Sequence, residues 1–176
     1  MTVDGLAMVR NLLDNRKLEE QQFELVLNPV ELSALVKSIA KTYESLAEKK
    51  KLKLHYQIEE DIQMNTDKLY ITRALDNLMS NAIKFSEPGK NIYLEMTKNG
   101  RMVEITVRDE GPGISLEDQQ NLFQKYQRLS AKPTGGESST GLGLYIVWNV
   151  AVLHKGKVFV KENDPQGAIM EMILKK

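Results

Sequence analysis

The chain has 176 residues, room for one domain with a sizeable core and a short appendage. Its 24 basic and 24 acidic side chains cancel, so no electrostatic case exists for a nucleic-acid or anionic-membrane partner. Cysteine is absent, which excludes disulfides, thiolate catalysis and cysteine-ligated metals and fits a reducing compartment. No apolar run is long enough to cross a bilayer and no secretory pattern opens the chain, so a cytoplasmic location is expected, with any membrane anchor of a longer protein lying outside these residues.

In chain order, Leu6 to Glu20 reads as helix, with Leu6, Val9, Leu12, Leu13 and Leu18 forming an apolar stripe on a charged segment. Phe23 to Leu27 alternates and reads as a short strand. Asn28-Pro29 opens a helix, with Glu31 at its positive end, Leu32, Leu35, Val36, Ile39, Tyr43 and Leu46 on its buried face, and Lys49-Lys50-Lys51 closing it. Leu52, Leu54, Tyr56 and Ile58 alternate as a strand. Asn65, Thr66 or Asp67 can cap the next helix, which runs to about Ser86. Pro88-Gly89 is a turn, and Ile92, Leu94 and Met96 mark a strand. The hairpin signal Asn99-Gly100 joins it to Val103, Ile105 and Val107. A short helix starts at Ser115, which has Asp118 in capping-box position. Ser130 to Thr140 is a loop, Gly141 to about His154 a helix, and Lys157 to Glu162 and Ala168 to Leu174 the last strands. These elements predict an α/β two-layer sandwich: one mixed, mostly antiparallel sheet covered on one face by three main helices.

Three segments carry chemistry. Asn77 and Asn81 are four apart on one helix face, and Lys84 shares it, while Leu75, Leu78, Met79, Ala82 and Ile83 occupy the opposite side. The face reads either as a solvated polar surface or as a cation and phosphate site, since an amide oxygen is a hard ligand suited to Mg²⁺ and an ammonium offsets phosphate charge. Asp109-Glu-Gly-Pro-Gly-Ile114 follows a strand; it is either a plain turn or a tight loop whose carboxylate accepts from an exocyclic amine such as that of adenine. Thr140-Gly-Leu-Gly-Leu144 opens a helix and reads as a loop end or an anion site, without completing a Walker A or dinucleotide fingerprint. His55 and His154 read as structural.

Taken in order as NLxxNAxKF, DxGxGI and TGLGL, with Leu122 to Arg128 between the last two, the segments resemble the N, G1, F and G2 boxes of the sensor histidine kinase ATP-binding domain. That domain lies within the wider superfamily of gyrase, Hsp90 and MutL. The resemblance covers the chain from about Pro29 to its end. It implies a Bergerat-type fold, ATP and Mg²⁺ as cofactors, and the following roles. Asn81 ligates Mg²⁺, Asn77 supports the same region, Lys84 reaches phosphate, and Phe85 packs near adenine. Asp109 accepts from the adenine amino group, with Gly111, Gly113 and Ile114 shaping the loop. Arg128 approaches the phosphates, and Thr140, Gly141, Leu142, Gly143 and Leu144 give phosphate contacts. The catalytic residues implied are Asn81, Lys84 and Arg128, and the ATP lid spans about residues 125–141.

Residues 1–22 look like the end of the second dimerisation helix, leading into a catalytic domain over residues 23–176. Neither His55-Tyr nor His154-Lys matches the phosphoacceptor box of the family, so the chain reads as lacking its own phosphoacceptor. The implied partners are a dimerisation and phosphoacceptor domain and a response regulator receiver domain, with no nucleic acid and no direct membrane contact. Departures from the family pattern are Asn65 where an Asp often caps, Gln127 where an aromatic is common, and Lys155 in place of the first glycine of an HGG turn. Two other readings are a nucleotide-binding module without transfer activity and a protein-serine kinase of the same superfamily, which lacks the helical lead-in seen here.

Overall fold

The computed structural model describes residues 24–127, 130–136 and 141–176. Its elements run β1 (Asn28–Glu31), α1 (Leu32–Lys49), β2 (Lys53–Ile58), β3 (Gln63–Thr66), α2 (Lys68–Phe85), β4 (Asn91–Asn99), β5 (Met102–Asp109), α3 (Leu116–Asn121), α4 (Gly143–Leu153), β6 (Lys157–Glu162) and β7 (Ala168–Lys175). Five strands form the main sheet in the order β2-β4-β5-β7-β6. Only the β2/β4 pair in that sheet is parallel; the other three pairs are antiparallel.

Alternation along each strand sends one set of side chains to the helical layer. Ile92, Leu94 and Met96 of β4, Val103, Ile105 and Val107 of β5, and Met172 and Leu174 of β7 are essentially inaccessible to solvent. Against them pack Val36 and Ala40 of α1, Ile71, Leu75 and Met79 of α2, and Val147 and Val150 of α4, forming one continuous core. The mixed sheet with three main helices on one face is therefore as expected. The Asn99-Gly100 hairpin also forms, with Asn99 opposite Met102.

The structure differs from the sequence reading at the start. Residues 24–27 have no regular structure, and Asn28-Pro29 lies in a strand rather than in the first helical turn. β1 pairs antiparallel with β3 as a separate two-stranded ribbon, where a proline at an edge costs little. Helix α1 begins at Leu32, and the Glu31 side chain caps it by accepting from the Ala34 N–H at 2.6 Å. Leu46 is 42% exposed because it sits at the margin of the apolar stripe, on the side of half-buried Leu35. Asp67, not Asn65, caps α2: its Oδ1 accepts from the Leu69 and Tyr70 N–H groups. The aspartate expected at that cap is thus present, two positions further on. Its other oxygen, Oδ2, accepts from the Val26 N–H at 3.0 Å, which ties the incoming chain to the head of α2.

Candidate functional site

Helix α2 buries Leu75, Leu78, Met79 and Ala82 against the core, and the margin of that face borders a cleft. That cleft encloses about 480 Å³, counting its open mouth. Asn81 and Phe85 line it from α2, Asp109 from the end of β5, Gly113 and Ile114 from the following loop, and Leu144 from α4. The six residues come from four separate places in the chain. Leu78, Ala82, Val107 and Met170 supply an apolar floor, and Pro112, Ala131 and Ala168 complete the wall. The sequence reading did not assign these last seven; Leu78, Ala82 and Pro112 adjoin assigned residues in the chain, whereas Ala168 and Met170 reach the cleft only because β7 lies beside β5 in the sheet.

Asp109 is the best-defined polar group in the cleft. Its Oδ1 accepts from the Gly111 N–H at 2.8 Å and from the Ala168 N–H at 3.2 Å. Burial pushes its carboxyl above the ordinary range, and those two N–H groups only partly offset the shift. Its Oδ2 has no partner among the described residues and is left to accept one further donor. The backbone of Asp109 is braced as well, since Asn163 Nδ2 donates to its carbonyl at 2.8 Å.

Asn77 and Asn81 share a face but not a role. Asn77 Nδ2 donates to the Arg73 carbonyl at 2.8 Å, so its amide is committed within the helix. The Asn81 side chain makes no hydrogen bond among the described residues and reaches the cleft. Lys84 does not line the cleft; its carbonyl accepts from Lys50 Nζ at 3.1 Å and from Thr134. No cluster of three or more His, Cys, Asp or Glu side chains able to hold a metal occurs among the described residues. An ion here would therefore rest on one amide oxygen plus non-protein oxygens. That donor set fits Mg²⁺, which keeps several waters and is bound through few protein ligands plus substrate phosphates.

At the start of α4 the N-cap residue is Leu142, whose apolar side chain makes no capping hydrogen bond. The N–H groups at the start of an 11-residue helix are suited to an anion. Gly141 has φ of +71°, and a Cβ there would lie 2.6 Å from the Tyr126 carbonyl carbon, so the glycine is needed where these two backbone segments cross. Gly111, Gly141, Leu142 and Gly143 shape the site without lining the cleft. Arg128 and Thr140 lie outside the described residues. Neither histidine lines the cleft: His55 Nε2 meets Asn91 Oδ1 at 3.0 Å, and buried His154 donates from Nδ1 to the Val150 carbonyl while Nε2 meets Thr66 Oγ1 at 2.7 Å.

Residues 66–176 match the family model described as histidine kinase-, DNA gyrase B-, and HSP90-like ATPase. The chain belongs to that family. An uncharacterised sensor-like histidine kinase of Rhizobium meliloti is 29% identical over 94% of this chain and 32% of its own length. The sensor histidine kinase TmoS of Ectopseudomonas mendocina is 30% identical over 96% of this chain and 18% of its own. Among solved structures, full-length ShkA in complex with AMPPNP superposes with a TM-score of 0.79 at 25% identity, over 96% of this chain and 35% of that one. The chain thus spans about a third or less of these relatives. Within the family it is an ATP-binding catalytic domain of the sensor histidine kinase type. No helix among the described residues is long and apolar enough to cross a membrane.

Proposed function

We propose that this histidine kinase-like ATPase domain holds Mg-ATP in the cleft and presents its γ-phosphoryl group to a histidine on a dimerisation domain, for relay to a response regulator. The observation that carries the reading is the half-committed Asp109 carboxylate at the floor of an apolar cleft. One oxygen is fixed by two backbone donors, and the other can take the adenine amino group. Phe85, Ile114 and Met170 would hold the base, and exclusion of water there strengthens the single polar contact. The phosphates would extend toward Asn81 and the α4 start. Mg²⁺, when bound through Asn81, would neutralise phosphate charge. Lys84 and Arg128 are proposed to add positive charge beside it, Asn77 to support the region, and Thr140 to join Gly141, Leu142, Gly143 and Leu144 at the phosphates.

The transfer is a displacement at the γ-phosphorus. An imidazole nitrogen forms the new N–P bond as the bond to the bridging oxygen of ADP breaks, and the acceptor's ring proton leaves to a base outside this chain. The protein's part is positioning and charge neutralisation. Residues 1–22 are proposed to belong to the second dimerisation helix, with the catalytic domain from residue 23. The Rhizobium meliloti and Ectopseudomonas mendocina relatives align with 94% and 96% of this chain, so the similarity reaches into residues 1–22, which supports that arrangement.

Calorimetry with Mg-ATP and Mg-GTP tests the nucleotide site: ATP binds at least about tenfold tighter, the worth of one buried, specific hydrogen bond. Equal binding removes Asp109 from base recognition. Labelled ATP tests the transfer. No acid-labile phosphate is expected on this chain alone, and a phosphohistidine is expected on an added dimerisation domain. Binding without transfer to that domain would favour a nucleotide-binding module, and acid-stable label a serine kinase.

A further inference from the structure

Residues 130–134 form a short strap tied down at both ends. At the first end, the Asp118 carboxylate accepts from the Ser130 N–H at 3.1 Å and from Ser130 Oγ at 2.6 Å, and also from Ser115 Oγ at 2.9 Å. Asp118 is only 7% exposed. At the second end, Thr134 closes on the last turn of α2. Its N–H donates to the Lys84 carbonyl at 2.9 Å. Its hydroxyl sits 3.0 Å from that carbonyl and 3.2 Å from the carbonyl of Ser86. The last carbonyls of a helix have no partner within it, so Thr134 acts as a cap brought in from 50 residues away in the chain. Between the two anchors, Ala131 forms part of the cleft wall.

We propose that Asp118 and Thr134 are positioning residues that hold this strap against the end of α2 and thereby slow nucleotide release. The inference rests on the nucleotide reading above and extends it to two side chains that do not line the cleft. The strap has little else to hold it. Ser130, Lys132 and Thr134 are exposed, and Ala131 and Pro133 are half-buried outside the core cluster. A segment with few apolar contacts opens at low cost, so its polar ties dominate how long it stays shut. Loss of a tie should then raise the rate of release with little effect on global stability, because the core does not depend on it.

The test is stopped-flow release of a fluorescent ATP analogue from the 176-residue chain in Mg²⁺, chased with excess ATP. Thr134→Val keeps the shape and removes the hydroxyl donor; it should speed release on the order of two- to tenfold, the range of one net hydrogen bond. Thr134→Ser restores the donor and should return release toward the original rate. Melting temperatures of both should stay within about 2 °C of the parent, as for surface substitutions. Asp118→Asn, which weakens the hold on Ser130, should speed release similarly. Unchanged release in Thr134→Val, or equally fast release in Thr134→Ser, overturns the proposal while leaving the nucleotide site standing. Failure of the unaltered chain to bind the analogue overturns the nucleotide reading and this inference with it. Should Thr134→Val not fold, Asp118→Asn decides alone: faster release supports the strap, unchanged release overturns it.

Discussion

Asn77 Oδ1 lies 2.5 Å from the point that a Cβ on Gly143 would occupy. The contact sets how closely α2 and the start of α4 approach. The amide cannot swing away freely, since its Nδ2 is held by the Arg73 carbonyl at 2.8 Å. Gly143→Ala should therefore force either that hydrogen bond or the helix start to shift, costing about 1–3 kcal/mol, as overpacking generally does. Asn77→Ala in the same chain should recover part of the loss, because it removes the atom that clashes. Urea unfolding of the two single variants and the double variant measures this. Strictly additive costs would show that the two residues do not meet.

The loop before β7 braces the Asp109 carboxylate from behind. Gly167 has φ of +123°, and a Cβ there would lie 1.9 Å from the Asp109 carbonyl oxygen, a backbone atom that cannot move without moving Asp109 itself. Gly167→Ala is expected to cost more than about 3 kcal/mol, combining a forbidden backbone conformation with a backbone clash. Where the variant still folds, its ATP affinity should drop with it. Asn163→Ala, which removes only the side-chain bond to the same carbonyl, should cost about 1 kcal/mol. A mild Gly167→Ala phenotype by chemical denaturation would mean that the loop can retreat from Asp109.

Much of this site can be read from the chain. Helical spacing alone aligns Asn77 with Asn81, and the strand-loop junction places Asp109 at the end of β5. What separates the two asparagines cannot be read, because it depends on the hydrogen bond from Asn77 to Arg73 and on the approach of Gly143 from another helix. The Gly167 brace is equally hidden, since the glycine stands 58 positions from Asp109 in a stretch that looks like an ordinary turn. The β1/β3 ribbon is not legible in the sequence because four residues are too short a run to show a period, although Ile62, Met64 and Thr66 do alternate inward. The reading of Asn28-Pro29 as a helix start followed a genuine preference of proline for first turns, overridden here by pairing with Thr66 and Asn65.

Asp109 should trade stability against binding. Its folded carboxyl titrates above the ordinary aspartate value because burial disfavours the charged form. A raised carboxyl favours the fold at low pH, and that contribution is lost as pH rises through the folded value, so at neutral pH the ionised group is a burden. Asparagine in its place can keep both bonds to Oδ1 while presenting an amide N–H donor where Oδ2 was. Asp109→Asn should thus melt at the same temperature as the parent or higher at about pH 7, with the gap closing as pH falls toward about 4, near the ordinary aspartate value. ATP affinity should fall at least about tenfold, since a donor would then face the adenine amine. Thermal melts across that range, with calorimetry at neutral pH, test both halves. A variant several degrees less stable at neutral pH would show that the carboxylate is a net support.

The turn after α4 makes a prediction about stability alone. Helix α4 ends at Leu153, His154 caps it, and Lys155 follows with φ of +52°, donating its N–H to the Val152 carbonyl at 2.9 Å. This is the left-handed position at which helices commonly place glycine, and a residue with a Cβ pays about 1 kcal/mol or more to occupy it. The Lys155 side chain is exposed, so nothing in the packing offsets that cost. Lys155→Gly should therefore stabilise the fold, by about 0.5–1 kcal/mol once the added freedom of the unfolded chain is subtracted. For a chain of this length that is a rise of about 1–4 °C in melting temperature. The next residue permits no such exchange: a Cβ on Gly156 would lie 1.8 Å from the Ile173 carbonyl oxygen, so Gly156→Ala should unfold or severely destabilise the protein. Of the two glycines expected here, only the second is required by a contact, which is why a lysine is tolerated at the first. Because Lys155 sits at the opposite end of α4 from Gly143, Lys155→Gly should leave ATP affinity unchanged. Differential scanning calorimetry with parallel ATP titration checks this, and a lower melting temperature for Lys155→Gly would mean that the lysine makes a contribution larger than its backbone strain.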